Sequence, residues 1–92
     1  MMMQEVGTEK ALSESNIQSD HRLDAIGLEC PEPVFRARLM LDRMQPGEVL
    51  EVCADDPLAE LDLMVFCEQT GHALLSSQST EAGMIVRIRR RP

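Results

Sequence analysis

The cysteine at position 30 is followed by two prolines with one residue between them, in the segment Cys30-Pro31-Glu32-Pro33. An amphipathic stretch comes next, and proline is tolerated in the first turn of a helix, where its missing N–H is least needed. The pattern predicts a helix with Pro31 as its first residue and Cys30 as its N-cap. A sulfur there would face the positive end of the helix dipole, which favours a thiolate or persulfide anion. Since N-caps are usually Ser, Thr, Asp or Asn, a cysteine here predicts sulfur chemistry.

The residues around Cys30 act on its ionisation in opposite directions. The two prolines remove N–H groups, so the N–H of Glu32 is the donor left for a sulfur anion, and they stiffen the backbone at the site. The carboxylates of Glu29 and Glu32 disfavour a second negative charge on the sulfur. We expect an exposed and fixed thiol with a modestly favoured anion, while the net direction of its pKa shift stays open.

The other cysteines and the histidines give a weaker signal. Three cysteines, with no CxxC pair, fit a reducing compartment better than a disulfide framework. Cys53 and Cys67 fall in a predicted strand and helix, where cysteine usually behaves as a small buried hydrophobe. A metal site would need paired ligand spacing, which Cys30, Cys53, Cys67, His21 and His72 lack. We interpret His72 as a polar loop residue rather than a catalytic base.

Size and charge exclude several classes of protein. A chain of 92 residues predicts one domain, and its net charge of −7 disfavours binding to nucleic-acid phosphates. Residues 1–21 are polar and acidic and predict a flexible N-terminal arm, so the compact domain is expected to span 22–92. The first 20 residues lack the pattern of a secretory signal, and no apolar run approaches the length of a membrane span. We therefore expect a cytoplasmic protein.

Alternation of apolar and polar residues predicts four strands, and two longer amphipathic segments predict helices. The predicted strands are 23–26, 48–54, 73–78 and 84–89, and the predicted helices are 31–44 and 57–71. The core face of the first helix would consist of Val34, Ala37, Leu41 and Met44. That of the second would consist of Leu58, Leu61 and Val65, with Met64 left open. Asp56 is the predicted N-cap of the second helix, with Pro57 as its first residue.

The order βαβαββ contains two β-α-β units, whose right-handed crossovers place both helices on one face of the sheet. Strands of alternating polarity fit a sheet whose other face is open to solvent. We therefore predict an α/β fold, a two-layer α/β sandwich in which a four-stranded mixed sheet carries two helices on one face.

The last strand ends in a basic patch. It consists of Arg87, Arg89, Arg90 and Arg91. One interpretation is a solvated edge, with Arg87 pairing Glu51 across the sheet. The other is a docking surface for an acidic partner. The sequence favours neither.

From Leu23 to Arg89 the chain resembles the TusA family of small sulfur carriers, also called SirA-like or YedF-like. The matching segments are LDAIGL at 23–28, CPEP at 30–33, MQPGE at 44–48, ADDP at 54–57, FC at 66–67 and IR at 88–89. The resemblance implies that Cys30 carries a persulfide and that Glu29, Pro31, Glu32 and Pro33 form the supporting motif. Glu29 departs from tRNA-pathway members of the family, which have a basic or neutral residue there, so the acceptor can differ.

The resemblance also implies partners and a mechanism. A cysteine desulfurase would give sulfane sulfur to Cys30, and a downstream acceptor protein would take it, as in tRNA 2-thiouridine synthesis or molybdenum-enzyme maturation. This sulfurtransferase-like chemistry requires no metal or organic cofactor, and a monomer is sufficient. One alternative is a regulatory or redox-sensing adaptor that uses Cys30 without passing sulfur on. Another is direct tRNA binding through the arginine tail, which the net charge disfavours.

Overall fold

Two helices and four strands make up the fold of residues 18–92, the part of the chain described by the computed structural model. In chain order the elements are β1 (His21–Ala25), α1 (Glu32–Arg43), β2 (Val49–Ala54), α2 (Ala59–Thr70), β3 (Ala73–Thr80) and β4 (Gly83–Arg89). The sheet order is β1-β2-β4-β3. Strands β1 and β2 are parallel, and the other neighbours are antiparallel. The predicted βαβαββ order and mixed four-stranded sheet are confirmed.

The core lies between the two helices and one face of the sheet. Leu50, Val52 and Ala54, which alternate along β2, are fully buried in it. From α1, Ala37, Leu41 and the following Met44 are buried, and Val34 is partly buried against the same cluster. The predicted core face of α1 is therefore confirmed. Both helices contribute to one cluster on one face of the sheet, as a two-layer sandwich requires.

The predicted core face of α2 is wrong. The side chains that face the sheet are Ala59, Leu63, Phe66 and Cys67, whereas Leu58, Leu61, Met64 and Val65 are exposed. Apolar residues occur on nearly every side of this helix, so two different faces fit helical spacing. Packing against the sheet selects one of them and leaves the other in solvent.

The other face of the sheet carries charged pairs. Glu51 lies opposite Arg87 in the β2–β4 register, and the Arg87 guanidinium is 3.2 Å from its carboxylate. The predicted cross-strand pair is therefore confirmed. The same carboxylate accepts a hydrogen bond from Ser19 at 3.1 Å.

The chain preceding β1 is bonded to the sheet edge. Asp20 donates its N–H to the Val49 carbonyl at 2.8 Å, and its carboxylate accepts the Val49 N–H at 2.8 Å. Ordered contacts thus begin inside the range 1–21 that was predicted as an arm, and His21 already belongs to β1. The remainder of that prediction, residues 1–17, lies outside the described residues.

The C-terminal arginines hold the far ends of both helices. Arg90 donates from Nε to the Leu41 carbonyl at 2.7 Å, and Arg91 donates from its guanidinium to the Thr70 carbonyl at 2.8 Å. Basic groups are favourable at helix C-termini, where carbonyl groups lack intrahelical partners. The Arg91 N–H also donates to Nδ1 of His72 at 3.1 Å. His72 lies in the predicted loop but is buried, and burial, followed by the charges of Arg91 and Arg90, lowers its pKa.

Candidate functional site

Cys30 lies on the connection between β1 and α1, and the connection between β2 and α2 holds it in place. The two strands are parallel neighbours, so both connections leave the same edge of the sheet. The Asp55 carboxylate accepts the Gly27 N–H at 3.0 Å, and the Asp56 carboxylate accepts the Cys30 N–H at 2.9 Å. Asp56 also accepts the Leu58 N–H at 2.8 Å, but the N-cap of α2 is Leu58 and the helix begins at Ala59. The prediction of Asp56 as the N-cap and Pro57 as the first helical residue is therefore wrong. Asp55 and Asp56 on the β2–α2 loop therefore hold the β1–α1 loop in place through its backbone N–H groups.

The start of α1 differs from the prediction. The helix begins at Glu32 with Pro31 as its N-cap, so Cys30 lies one residue before the cap. The peptide bond between Cys30 and Pro31 is cis. The Glu32 N–H, predicted to stabilise a sulfur anion, instead donates to the Glu29 carbonyl at 2.8 Å. The prediction that the helix N-terminus and this N–H favour the anion is therefore wrong.

The hydrogen-bond partner of the Cys30 thiol is Asp62, in the first turn of α2. The exposed Sγ–H donates to Oδ2 of this carboxylate. This hydrogen bond, followed by desolvation and the charges of Asp62 and Asp56, raises the pKa of Cys30 from its usual 9.0 to about 11. Two carboxylates thus oppose ionisation as predicted, but they come from the neighbouring loop and helix rather than from Glu29 and Glu32. The Glu32 carboxylate instead pairs with Arg36 at 3.3 Å.

A groove between α1 and α2 opens beside the Cys30 thiol. Its apolar lining consists of Pro31, Val34, Phe35, Leu61, Val65 and Phe66. Its polar lining consists of Arg38, Asp62 and Gln69. The side chains of Phe35, Leu61 and Val65 are exposed although they are apolar. The part of α2 that was predicted to enter the core therefore forms one wall of the groove.

The other predicted site residues lie away from this groove. Cys53 is buried on β2 opposite Ile85, on the face of the sheet that carries the Glu51–Arg87 pair. Cys67 is buried in the core, where desolvation raises its pKa to about 11. Residues 18–92 contain no group of three or more His, Cys, Asp or Glu side chains placed to hold a metal ion. Within the groove, Cys30 is therefore the cysteine that solvent and a partner can reach.

The basic patch lies at the opposite end of the helices from Cys30. Arg90 and Arg91 bind carbonyl groups near the C-termini of α1 and α2, while Cys30 precedes the N-terminus of α1. A helix rises about 1.5 Å per residue, so the two ends of α1 are about 17 Å apart. Arg87 pairs with Glu51, and Arg89 is exposed. Docking of an acidic partner on this patch stays a prediction.

Asp62 is a site residue that the sequence did not predict, and Asp56 was predicted only as a helix cap and not as a hydrogen-bond partner of the Cys30 loop. Asp62 is the acid that interrupts the apolar run from Leu61 to Phe66. This acid in an apolar run follows shortly after a strand that is expected to end beside the Cys30 loop. Its position was the sequence signal that could have identified Asp62 as a site residue. It was hidden because Leu61 and Val65 were expected to face the core.

Comparison with known proteins assigns the family. A family model described as "Sulfurtransferase TusA" matches residues 21–90. The chain belongs to the TusA family. A protein of Archaeoglobus fulgidus named "Putative sulfur carrier protein" is 44% identical over 64 residues, which cover 70% of this chain and 83% of the relative. The crystal structure of a SirA-like protein from Desulfitobacterium hafniense matches with a TM-score of 0.69 and 28% identity, over 78% of this chain and 99% of that one. The predicted family is confirmed, and membership supports a sulfur carrier role.

The described part of the chain contains no helix with the length and apolar character required to span a bilayer. The two helices have 12 residues each, and both contribute to the core beneath the groove.

Proposed function

We propose that this TusA-family protein carries sulfane sulfur as a persulfide on Cys30, receiving it from a cysteine desulfurase and passing it to an acceptor protein. The observation that supports this best is the position of Cys30. Its thiol is exposed at the end of an apolar groove, while its backbone N–H is fixed by Asp56. A carrier needs a thiol that two successive partners can reach, held on a rigid backbone.

The transfer is a thiol exchange in which the numbers of atoms and electrons balance. Cys30 loses its thiol proton and attacks the outer sulfur of the donor persulfide, so that a new S–S bond forms and the donor S–S bond breaks. The donor leaves as a thiolate and takes up a proton. In the second step a thiolate of the acceptor attacks the outer sulfur of the Cys30 persulfide, and Cys30 leaves as a thiolate that is reprotonated.

The alternative, a redox-sensing adaptor, has less support. Sensor cysteines usually have a low pKa and a nearby resolving cysteine. Cys30 has its pKa raised to about 11, and both Cys53 and Cys67 are buried outside the groove. Such a thiol reacts slowly with small oxidants, because the thiolate is the nucleophile. A protein partner that rearranges the site would be needed to activate it, which suits a carrier better than a sensor.

The acceptor of the sulfur is expected to be a protein. tRNA thiolation and molybdenum-enzyme maturation both require a carrier persulfide. The net charge of −7 argues against direct binding of the carrier to tRNA. We therefore expect an acceptor protein to receive the sulfur in both pathways.

The experiment that tests the proposal is sulfur loading. The protein is incubated with a cysteine desulfurase and cysteine labelled with radioactive sulfur, and protein-bound label is measured without reductant. The wild type should gain about one sulfur per chain that a reductant removes, and Cys30→Ser should gain none.

The matched control is Cys53→Ser, which changes a buried cysteine on the opposite face of the sheet. It should load as the wild type does. Equal loading of the wild type and Cys30→Ser would contradict the assignment of the carrier residue. Absence of loading in the wild type with an active desulfurase would contradict the proposed donor.

A further inference from the structure

The sulfur of Cys30 lies in an electrostatic setting that opposes its own reaction. Asp62 accepts the thiol hydrogen bond, and Asp56 lies at the Cys30 backbone N–H. Thiol exchange proceeds through the thiolate, so reaction places a negative sulfur against the Asp62 carboxylate. Like charges in contact disfavour that state, whatever the identity of the donor.

No positive group in the described residues 18–92 bonds to this sulfur. The charged groups around it are Glu29 on its own loop, Glu32 and Arg38 on α1, Asp55 and Asp56 on the β2–α2 loop, and Asp62 on α2. Glu32 is paired with Arg36, and Asp55 is bonded to the Gly27 N–H. The Arg38 guanidinium lies over the Phe66 ring, 5.9 Å from its centroid, on the groove wall. Among residues 18–92, no cation is paired with Asp56 or Asp62, the acids nearest the thiol.

We infer that Asp62 selects the partners of Cys30 by charge, so that sulfur donors and acceptors carrying a cationic group next to their reacting sulfur are preferred. This rests on the proposed function and specifies its partners. The partner cation pairs with Asp62 as the thiol proton leaves, and the apolar wall of Phe35, Leu61 and Val65 receives the rest of the partner segment. An anionic group in the same place would meet two carboxylates.

The charge preference can be measured with small reagents of opposite charge and the same leaving group. The thiolate of Cys30 attacks the sulfenyl sulfur of a methanethiosulfonate, a mixed disulfide forms, and methanesulfinate departs with the electron pair of the broken S–S bond. The trimethylammonioethyl reagent is cationic and the sulfonatoethyl reagent is anionic. The rate of each reaction is followed by mass spectrometry of the Cys30 peptide. The ratio of the cationic to the anionic rate is then divided by the same ratio for mercaptoethanol, which corrects for the intrinsic reactivity of the two reagents.

The wild-type protein should favour the cationic reagent over the anionic one by about 25-fold after this correction, because contact with one unit charge in water speeds the cation about fivefold and slows the anion about fivefold. Added salt should reduce the preference. Asp62→Asn should bring the ratio close to that of mercaptoethanol. Glu68→Gln, which removes an exposed carboxylate elsewhere on α2, should leave it unchanged.

Two results would overturn the inference. One is a corrected ratio of one or less in the wild type, which requires no variant and so does not depend on how Asp62→Asn folds. The other is an unchanged preference in a folded Asp62→Asn protein. Because these reagents contain no persulfide, the outcome is independent of sulfur loading. A protein that failed to load but kept the charge preference would contradict the proposed function alone.

Discussion

The reactivity of Cys30 depends on a carboxylate that is far away in sequence. In the folded chain Asp62 accepts the thiol hydrogen bond and, together with Asp56, raises the pKa of Cys30 to about 11. At neutral pH the thiol is therefore almost wholly protonated until a partner binds. A protonated thiol reacts slowly with oxidants and electrophiles. In the proposed carrier role, this arrangement protects the thiol between partners and leaves activation to the partner that docks.

Asp62→Asn should increase the rate of Cys30 alkylation. Loss of the carboxylate brings the pKa of Cys30 down from about 11 towards its usual 9.0. At about pH 8 the gain in thiolate outweighs the lower nucleophilicity of the less basic sulfur, so the rate with iodoacetamide should increase roughly tenfold. The full pH–rate profile should shift to lower pH in Asp62→Asn but not in Glu68→Gln. A profile that does not move in a folded Asp62→Asn protein would contradict this account of the thiol.

The pair of β–α connections is the structural unit that places the site. Asp55 and Asp56 directly follow β2 and accept backbone N–H groups from the loop that carries Cys30. Hydrogen bonds from Cys30 and Leu58 lower the pKa of the Asp56 carboxyl. A carboxyl whose pKa is lower in the folded state stabilises the fold above its unfolded value, and this contribution is lost as the pH falls through the folded value.

Asp56→Asn should therefore make the fold less sensitive to acid. Wild-type stability should fall more steeply below the usual carboxyl pKa of 3.8 than that of Asp56→Asn, because the variant has no proton to take up at this position. Urea unfolding from about pH 6 to about pH 3 measures the difference. The two curves should run parallel near neutral pH and come closer together only at the acid end, where the wild type loses the contribution of the ionised Asp56. Parallel curves over that whole range would show that the Asp56 hydrogen bonds contribute nothing measurable.

The fold was predictable from the sequence because its strands and first helix have clear periodicity. In α1 the spacing of Val34, Ala37, Leu41 and Met44 selects the face that the structure buries, although Phe35 and Leu39 are exposed elsewhere on the helix. Helix α2 is apolar nearly all round, so its orientation is fixed by the sheet, and sequence spacing alone selected the wrong face. The same error hid Asp62, since a residue beside a supposed core position was not considered for the site. The predicted start of α1 was one residue too early. The Glu32 N–H was expected to bond to the Cys30 sulfur, but it donates to the Glu29 carbonyl.

Cys30 lies far from most of the charged contacts that stabilise the fold. The Cys30 groove lies at the N-terminal end of the helix layer, whereas Arg90 and Arg91 hold the C-terminal ends of the helices. On the opposite face of the sheet, Glu51 binds Ser19 and Arg87. A change on that face should alter stability without altering sulfur transfer.

Glu51→Gln tests this separation. It weakens contacts to the largely buried Arg87, so the free energy of unfolding should fall by about 1 kcal/mol. Urea unfolding measures that change, and the rate of sulfur loading should stay at the wild-type value under conditions where both proteins are folded. Loss of loading in folded Glu51→Gln would mean that the sheet face takes part in docking.

The most direct test of the carrier assignment is to locate the added sulfur in the chain. After loading by a cysteine desulfurase, the protein is alkylated and cleaved with trypsin, which separates the peptide 23–36, containing Cys30, from the peptide 44–87, containing Cys53 and Cys67. We predict the mass of one additional sulfur on the peptide 23–36, lost after treatment with reductant before alkylation. Additional sulfur on the peptide 44–87, with none on 23–36, would contradict the account.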